Sequence, residues 1–75
     1  MAVRITMIPG LCGGRPTIRG MRIRVADILD YMAGGETRTT LLKEFEELED
    51  EDITAALNFA AELINQSAKV PEEAA

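Results

Sequence analysis

The segment DEDITAALNFAAELINQ, from Asp50 to Gln66, carries the clearest helical pattern in this chain. Apolar residues recur in it three and four positions apart, which places them on one face of an α-helix. Three acids occupy its first turn, where the helix macrodipole favours negative charge. The segment therefore predicts a C-terminal helix with one buried stripe. The stripe consists of Ile53, Ala56, Leu57, Ala60 and Ile64, with Leu63 beside it.

Two shorter helices are predicted upstream of this segment. Val25, Ile28, Leu29 and Met32 follow the same helical spacing, and Gly34-Gly35 offers a left-handed end to that first helix. Thr37 is a suitable N-cap for a second helix that runs to about Phe45. The residues expected to face inward after Thr37 are Leu41, Leu42 and Phe45, with Leu48 in the next connection.

The first 24 residues favour extended chain and turns. Val3, Ile5 and Met7 alternate with polar residues, which fits a short strand or arm. Glycines and prolines between positions 9 and 16 then predict turns. The run TIRGMRIRV, from Thr17 to Val25, predicts a tight hairpin centred on Arg19 to Arg22.

These patterns together predict a mainly α fold. We expect a three-helix, helix-turn-helix-like bundle with a short N-terminal β arm or hairpin, formed by residues 1–66, and a flexible acidic tail over 67–75. A chain of 75 residues has no room for a second domain. Because so small a core rarely supplies more than roughly 3–5 kcal/mol, we also expect a homo-oligomer, a dimer or a higher even number, assembled through the arm.

Composition excludes several kinds of chemistry. The chain has no histidine and one cysteine, Cys12, so it lacks the residues for imidazole catalysis, a standard zinc site or an internal disulfide. No catalytic constellation stands out, and we expect neither an enzyme nor a cofactor. With no signal-peptide or membrane-span pattern, we expect a cytoplasmic protein in which Cys12 is reduced.

The net charge of −5 divides unevenly along the chain. The first 24 residues carry +5 and the remaining residues −10. Such asymmetry suggests either contact with DNA through the basic part or docking of one subunit on another. For Arg19 and Arg22, pairing with carboxylates of the same fold or of a sister subunit is the favoured interpretation. The candidates for DNA or subunit contact are Arg4, Arg15, Arg19, Arg22 and Arg24.

Seven acids and no basic residue lie between Glu44 and Asp52, around the predicted connection from the second helix to the third. In a DNA-binding helix-turn-helix this end of the third helix would enter the major groove, where the acids would be repelled by phosphate. A solvated acidic face and a surface for a basic protein partner both remain open. The candidates for partner contact are Glu46, Glu47, Asp50 and Asp52.

Two strings in the chain resemble a known family. PGLCGGRPTIRGMRIRVADILDYMAGG, from Pro9 to Gly35, and EFEELEDEDITAALNFA, from Glu44 to Ala60, are similar to the domain of unknown function 433 family. The resemblance implies a trihelical core and a β element used in dimerisation. It also implies an antitoxin role, similar to VapB-type antitoxins, with a PIN-like ribonuclease as the partner. Where the family commonly has a hydroxyl N-cap before the last helix, we expect Asp50 to cap instead.

The resulting hypothesis is a non-catalytic, antitoxin-like regulatory protein. It would neutralise a PIN-like ribonuclease and could also bind operator DNA. The alternative is a self-assembling structural or accessory domain that binds no nucleic acid.

Overall fold

The computed structural model describes residues 3–67 and contains three helices behind a short β-hairpin. In chain order the elements are β1 (Ile5–Thr6), a 3₁₀ turn (Cys12–Gly14), β2 (Thr17–Ile18), α1 (Val25–Ala33), α2 (Arg38–Glu44) and α3 (Asp50–Ser67). The predicted mainly α, three-helix architecture is therefore confirmed. The predicted flexible tail lies outside the described residues, apart from Ser67 at the end of α3.

The two strands form a minimal antiparallel ladder. Ile5 faces Ile18 and Thr6 faces Thr17, so the N-terminal arm pairs within its own chain. The hydroxyls of the two threonines lie 2.8 Å apart, and each also lies 3.2 Å from the other residue's carbonyl oxygen. The Thr6 hydroxyl also accepts the Gly20 N–H at 2.9 Å, and Thr17 is fully buried.

A tight turn follows β2 at the predicted place. The Met21 N–H donates to the Ile18 carbonyl at 2.8 Å, and the Ile18 N–H donates to the Ile23 carbonyl at 2.9 Å. The two central residues, Arg19 and Gly20, have φ of 48° and 72°. Positive φ at both positions is the geometry of a type I′ hairpin turn, which costs glycine little but strains an arginine. The hairpin predicted at Arg19 to Arg22 is therefore confirmed.

Helix α1 ends in a Schellman motif. The Gly35 N–H donates to the Met32 carbonyl and the Glu36 N–H donates to the Tyr31 carbonyl, both at 3.0 Å. Gly35 has a φ of 102°, which an L side chain rarely adopts. The glycine pair therefore ends the helix as predicted, and Gly35 is the residue in the left-handed conformation.

Helix α2 begins and ends close to its predicted limits. The Thr37 hydroxyl accepts the Thr40 N–H at 3.2 Å, so Thr37 is the N-cap as expected. Helix α3 begins at Asp50, as predicted. Asp50 is however its first helical residue and not the expected N-cap, and the carboxylate that accepts the Glu49 N–H, at 2.9 Å, is Asp52.

Strand β2 and the three helices each contribute one large, fully buried aliphatic residue to the core. These are Ile18 from β2, Ile28 from α1, Leu41 from α2 and Ile53 from α3. Val25, Leu48 and Ala56 complete the buried cluster, whereas Phe45 and Phe59 pack only partly against it. The core is therefore aliphatic, because the few aromatic side chains lie at its edge.

The apolar stripe of α3 is buried only in its first half. Ile53 and Ala56 are fully buried, but Leu63 is 51% and Ile64 is 62% exposed. Nine residues of α1 span about 13 Å, whereas eighteen residues of α3 span about 27 Å. The predicted burial of Ile64 is therefore wrong, because the shorter helices cannot cover the far end of α3. Within residues 3–67 no helix is long and apolar enough to cross a membrane.

Candidate interaction site

A buried carboxylate joins the hairpin to the first turn of α3. Asp52 has no exposed surface and accepts a 2.7 Å bond from Arg4 Nη1 at Oδ1. Arg19 donates to Asp52 through Nη2 at 2.8 Å and through Nε at 3.1 Å. The backbone N–H of Glu49 also donates to the Asp52 carboxylate. We name Asp52, Arg4, Arg19 and Glu49 the Asp52 cluster.

The Asp52 cluster keeps its charges despite the burial. Burial by itself raises the pKa of Asp52, but the bonds from Arg19, from the Glu49 N–H and from Arg4 outweigh it and lower that pKa below its ordinary value. The hydrogen bond to Glu49, followed by that to Asp52, raises the pKa of Arg4. The bond to Asp52 raises the pKa of Arg19. The carboxylate and both guanidinium groups are therefore ionised at neutral pH.

The cluster has a structural role, which corrects part of the predicted site. Arg19 also donates to the Glu47 carbonyl at 2.7 Å, so its side chain ties the strained turn to the connection between α2 and α3. Asp52 was a candidate for partner contact, but a carboxylate with no exposed surface cannot contact a partner. A sequence signal for its burial exists, because Asp52 lies four residues before the buried Ala56 on the same helical face.

A second predicted arginine is bound at the start of α1. Arg24 Nη2 donates to Asp27 Oδ1 at 2.7 Å, and the Arg24 N–H donates to the other carboxylate oxygen at 3.1 Å. The side-chain bond from Arg24 is the main reason that the pKa of Asp27 lies below its ordinary value, against the opposing effect of burial. Arg24 therefore stabilises the N-terminus of α1.

Arg38, which the sequence analysis did not single out, binds the remaining predicted acid in the first turn of α3. Its Nε donates to Asp50 Oδ1 at 2.9 Å, and its Nη2 donates to Thr54 Oγ1 at 2.6 Å and to the Asp50 carbonyl at 2.9 Å. The bond from Arg38 Nε to the Asp50 carboxylate lowers the pKa of Asp50. Asp50 stays at the surface, but its carboxylate already bridges α2 and α3.

Four predicted residues remain uncommitted. Arg15 and Arg22 are exposed, and within residues 3–67 their side chains form no ion pair or hydrogen bond. Glu46 and Glu47 are likewise exposed and have no side-chain partner in that part of the chain. Pairing with a carboxylate of the same fold therefore holds for Arg19, through Asp52. Arg22 has no such partner within residues 3–67, and its pairing with a sister subunit stays a prediction.

The uncommitted acids lie along the connection from α2 to α3, directly after the exposed Lys43 in the last turn of α2. Glu46 and Glu47 occupy the turn after α2, and Glu44 and Glu51 flank them, both exposed and also without a side-chain partner among the described residues. We name these four glutamates the acidic corner. Arg19 donates to the backbone carbonyl of Glu47 and forms no bond to a carboxylate of the acidic corner.

A cavity of about 350 Å³ opens on the outer face of α1. The described residues that line it are Asp27, Asp30 and Tyr31. The Tyr31 ring packs edge-on against Phe45, with centroids 5.6 Å apart and the planes at 66°. Sequence analysis missed this feature, although the spacing of Asp27, Asp30 and Tyr31 on one helical face was available as a signal.

Other reactive groups are sparse in the described part of the chain. Cys12 is a half-buried free thiol whose Sγ lies 3.9 Å from the Arg22 carbonyl. Residues 3–67 contain no group of three or more acid or thiol side chains placed to hold a metal ion.

Comparison with known proteins identifies the family. The family described as "Protein of unknown function (DUF433)" matches residues 5–60, which include both strands, most of α3 and all of the Asp52 cluster except Arg4. The chain belongs to this family. A solved structure, a DUF433 member protein from Anabaena variabilis, is 33% identical and superposes with a TM-score of 0.79. The match covers 84% of this chain and 62% of that protein, so the present chain corresponds to only part of it. No curated protein matches the sequence.

Proposed function

We propose that this DUF433 member is a non-catalytic, antitoxin-like binding protein whose acidic corner binds a basic protein partner. The observation that carries the proposal is the exposed, uncommitted state of Glu46 and Glu47, in a chain with a net charge of −5. The other two residues predicted to contact a partner, Asp50 and Asp52, are bound within the fold. Glu46 and Glu47, which belong to the acidic corner, are therefore the predicted residues that are free to contact a partner.

A PIN-like ribonuclease is the partner class that the family resemblance suggests. Ribonucleases bind RNA through cationic clefts, and an acidic surface of this kind would compete with RNA for the cleft. Opposite charge would also speed the encounter, most strongly at low salt. The chain would then act by occupying the nuclease and would need no catalytic group of its own.

The test is inhibition of a purified nuclease partner. The tagged protein is used to capture candidate ribonucleases, and each is purified and assayed for RNA cleavage with increasing amounts of the protein. We expect inhibition at about equimolar protein, weakened about tenfold by the double substitution Glu46→Gln and Glu47→Gln. Glu62→Gln is the matched control, because Glu62 is an exposed acid without a partner among residues 3–67, on the far half of α3. Full RNA cleavage in the presence of excess protein would overturn the proposal.

Binding to operator DNA has a smaller basis in the structure. Arg4, Arg19 and Arg24 are neutralised within the fold, which leaves Arg15 and Arg22 for phosphate contact. Binding of two cations to phosphate releases few counterions. We therefore expect the logarithm of the DNA-binding constant to fall with the logarithm of the salt concentration with a slope of only about −2 per chain. A mobility-shift titration at several salt concentrations measures this, with Arg15→Ala and Arg22→Ala as the variants.

Self-assembly is a second candidate function, favoured by the exposed apolar residues of the N-terminal arm. Val3 is 72%, Met7 61% and Ile8 41% exposed. We expect Ile8→Ser to shift sedimentation velocity towards the monomer, whereas Ile64→Ser, at a more exposed isoleucine of α3, leaves it unchanged. A wild-type chain that sediments as a monomer at high concentration would contradict this candidate.

A further inference from the structure

We propose that the cavity beside Tyr31 binds an arginine side chain of the basic protein partner. The inference rests on the proposed function, in which a basic protein meets the acidic corner, and it adds the place where one of that partner's cations is anchored. The cavity measures about 350 Å³, which is within the range of ligand-binding sites and ample for one guanidinium side chain.

The carboxylates that line the cavity differ in their availability. Asp27 is held by Arg24 through both its oxygens, so its charge is already balanced. Asp30 is exposed and has no ion pair or side-chain hydrogen bond within the described chain. Among the described lining residues, Asp30 is therefore the carboxylate without a bonded cation, although its charge also raises the pKa of the Arg24 guanidinium nearby.

Tyr31 adds an aromatic surface. The residue is 41% exposed, and its ring makes an edge-on contact with Phe45. A cation within about 6 Å of such a ring centroid is attracted by the ring quadrupole, and arginine is the side chain most often found there. A planar guanidinium can stack on the ring while it bonds to a carboxylate, which a hydrated ammonium does less well.

The acidic corner lies close to Tyr31 along the chain, because Phe45, whose ring contacts Tyr31, is followed directly by Glu46 and Glu47. A basic partner drawn to the corner by long-range attraction would therefore bring its cations near Tyr31. Calcium or magnesium is a poor occupant, because these ions take six or more oxygen ligands and the described lining offers one carboxylate without a bonded cation.

The chain carries its own reporter for this site. Tyr31 is its single tyrosine and tryptophan is absent, so tyrosine emission from the purified protein comes from Tyr31. We would titrate octa-arginine and octa-lysine peptides into the protein at low salt and follow this emission. Octa-arginine is expected to change it in a saturable way and to bind about two- to fivefold more tightly than octa-lysine.

Variants separate aromatic recognition from simple charge attraction. Binding followed with labelled peptides should lose the preference for octa-arginine in Tyr31→Leu and keep it in Tyr31→Phe, which retains the ring. Asp30→Asn should weaken octa-arginine binding about threefold, whereas Glu62→Gln should leave it unchanged. Circular dichroism of each variant verifies that the helices are intact.

The outcomes distinguish this inference from the proposed function. If Glu46→Gln with Glu47→Gln weakens nuclease inhibition while Tyr31→Leu changes neither inhibition nor peptide preference, the arginine anchor is wrong and the proposed function stands. Absence of octa-arginine binding to the wild type at low salt also overturns the anchor. If the nuclease is not inhibited but Tyr31 emission and the arginine preference respond as expected, the proposed function fails and the cation site remains.

Discussion

The two halves of the acidic segment from Glu44 to Asp52 have similar compositions and opposite environments. In the second half, Glu49, Asp50 and Asp52 each accept a bond from an arginine, and Asp52 is fully buried. In the first half, Glu46 and Glu47 are exposed and their carboxylates have no partner within the described chain. The difference arises because α3 begins against the hairpin, whereas the turn after α2 faces outward.

This comparison shows that like charges that are adjacent in the sequence do not all lie on the same surface of the folded protein. The first turn of α3 has a structural role, because Asp52 binds Arg19 and Arg4, which precede it in the sequence by 33 and 48 positions. The turn before it keeps its charge available for recognition. Stability and binding should therefore respond to different members of the same segment, and four experiments test this separation.

The largest expected effect is on stability, from Asp52→Asn. The substitution leaves Arg4 and Arg19 without their shared carboxylate, and loss of one partner of a buried ion pair is strongly destabilising. We expect the free energy of unfolding to fall by about 2–4 kcal/mol, towards the low side because both arginines can reach water. Urea denaturation measures it, with Glu51→Gln, one residue away and exposed, as the control. Since Glu51 lies in the same helical turn but has no side-chain partner among residues 3–67, equal midpoints for the two variants would show that the bonds from Arg4 and Arg19 to Asp52 contribute nothing to stability.

The second effect is a pH dependence that Asp52 shares with Asp27 and Asp50. The pKa of each carboxyl is lower in the folded chain than its ordinary value of 3.8. Their contribution to stability is therefore complete above about pH 5 and is lost as the pH falls through the folded pKa values. We expect the melting temperature of the wild type to fall more steeply below pH 4 than that of Asp52→Asn. Parallel curves would show that Asp52 is not linked to folding.

A smaller effect separates two arginines of the hairpin. Arg19→Ala removes the bonds to Asp52 and to the Glu47 carbonyl, whereas Arg22→Ala removes no side-chain partner within residues 3–67. We expect Arg19→Ala to lower the urea midpoint by less than Asp52→Asn, because Arg4 still neutralises the carboxylate. Arg22→Ala should leave the midpoint unchanged. The reverse order would mean that the ion pair of Arg19 contributes nothing to folding.

The smallest effect on stability is expected at the acidic corner. The double substitution Glu46→Gln and Glu47→Gln should leave the urea midpoint unchanged, or raise it slightly by reducing repulsion between like charges. The same protein should be about tenfold weaker in nuclease inhibition. A variant that loses stability and binding together would place the acidic corner among the structural residues.

Much of the secondary structure follows from local sequence. The spacing of Val25, Ile28 and Met32, the cap at Thr37 and the glycine pair after α1 set helix limits through interactions within a few residues. The type I′ turn at Arg19-Gly20 follows from glycine's tolerance of positive φ. Helix α3 is predicted almost to the residue, because eighteen residues of one pattern leave little ambiguity.

The partners of the charged side chains could not be predicted from the sequence, because they depend on distances between elements that are far apart in the chain. The sequence lists the same kinds of side chain at Arg19 and Arg22, yet only Arg19 lies against Asp52. It likewise indicates a full apolar stripe in α3, although α1 is too short to cover Ile64.

By itself the sequence determined three helices, a hairpin, an aliphatic core and a strong division of charge, because each depends on near neighbours or on composition. Only the tertiary structure decided which charges neutralise one another and which stay available. It buries Asp52 between two arginines, exposes Glu46 and Glu47, and sets Tyr31 beside Phe45 at the edge of a cavity. The physical reason is that electrostatic energy depends on separation and burial, and both are fixed only when the helices pack.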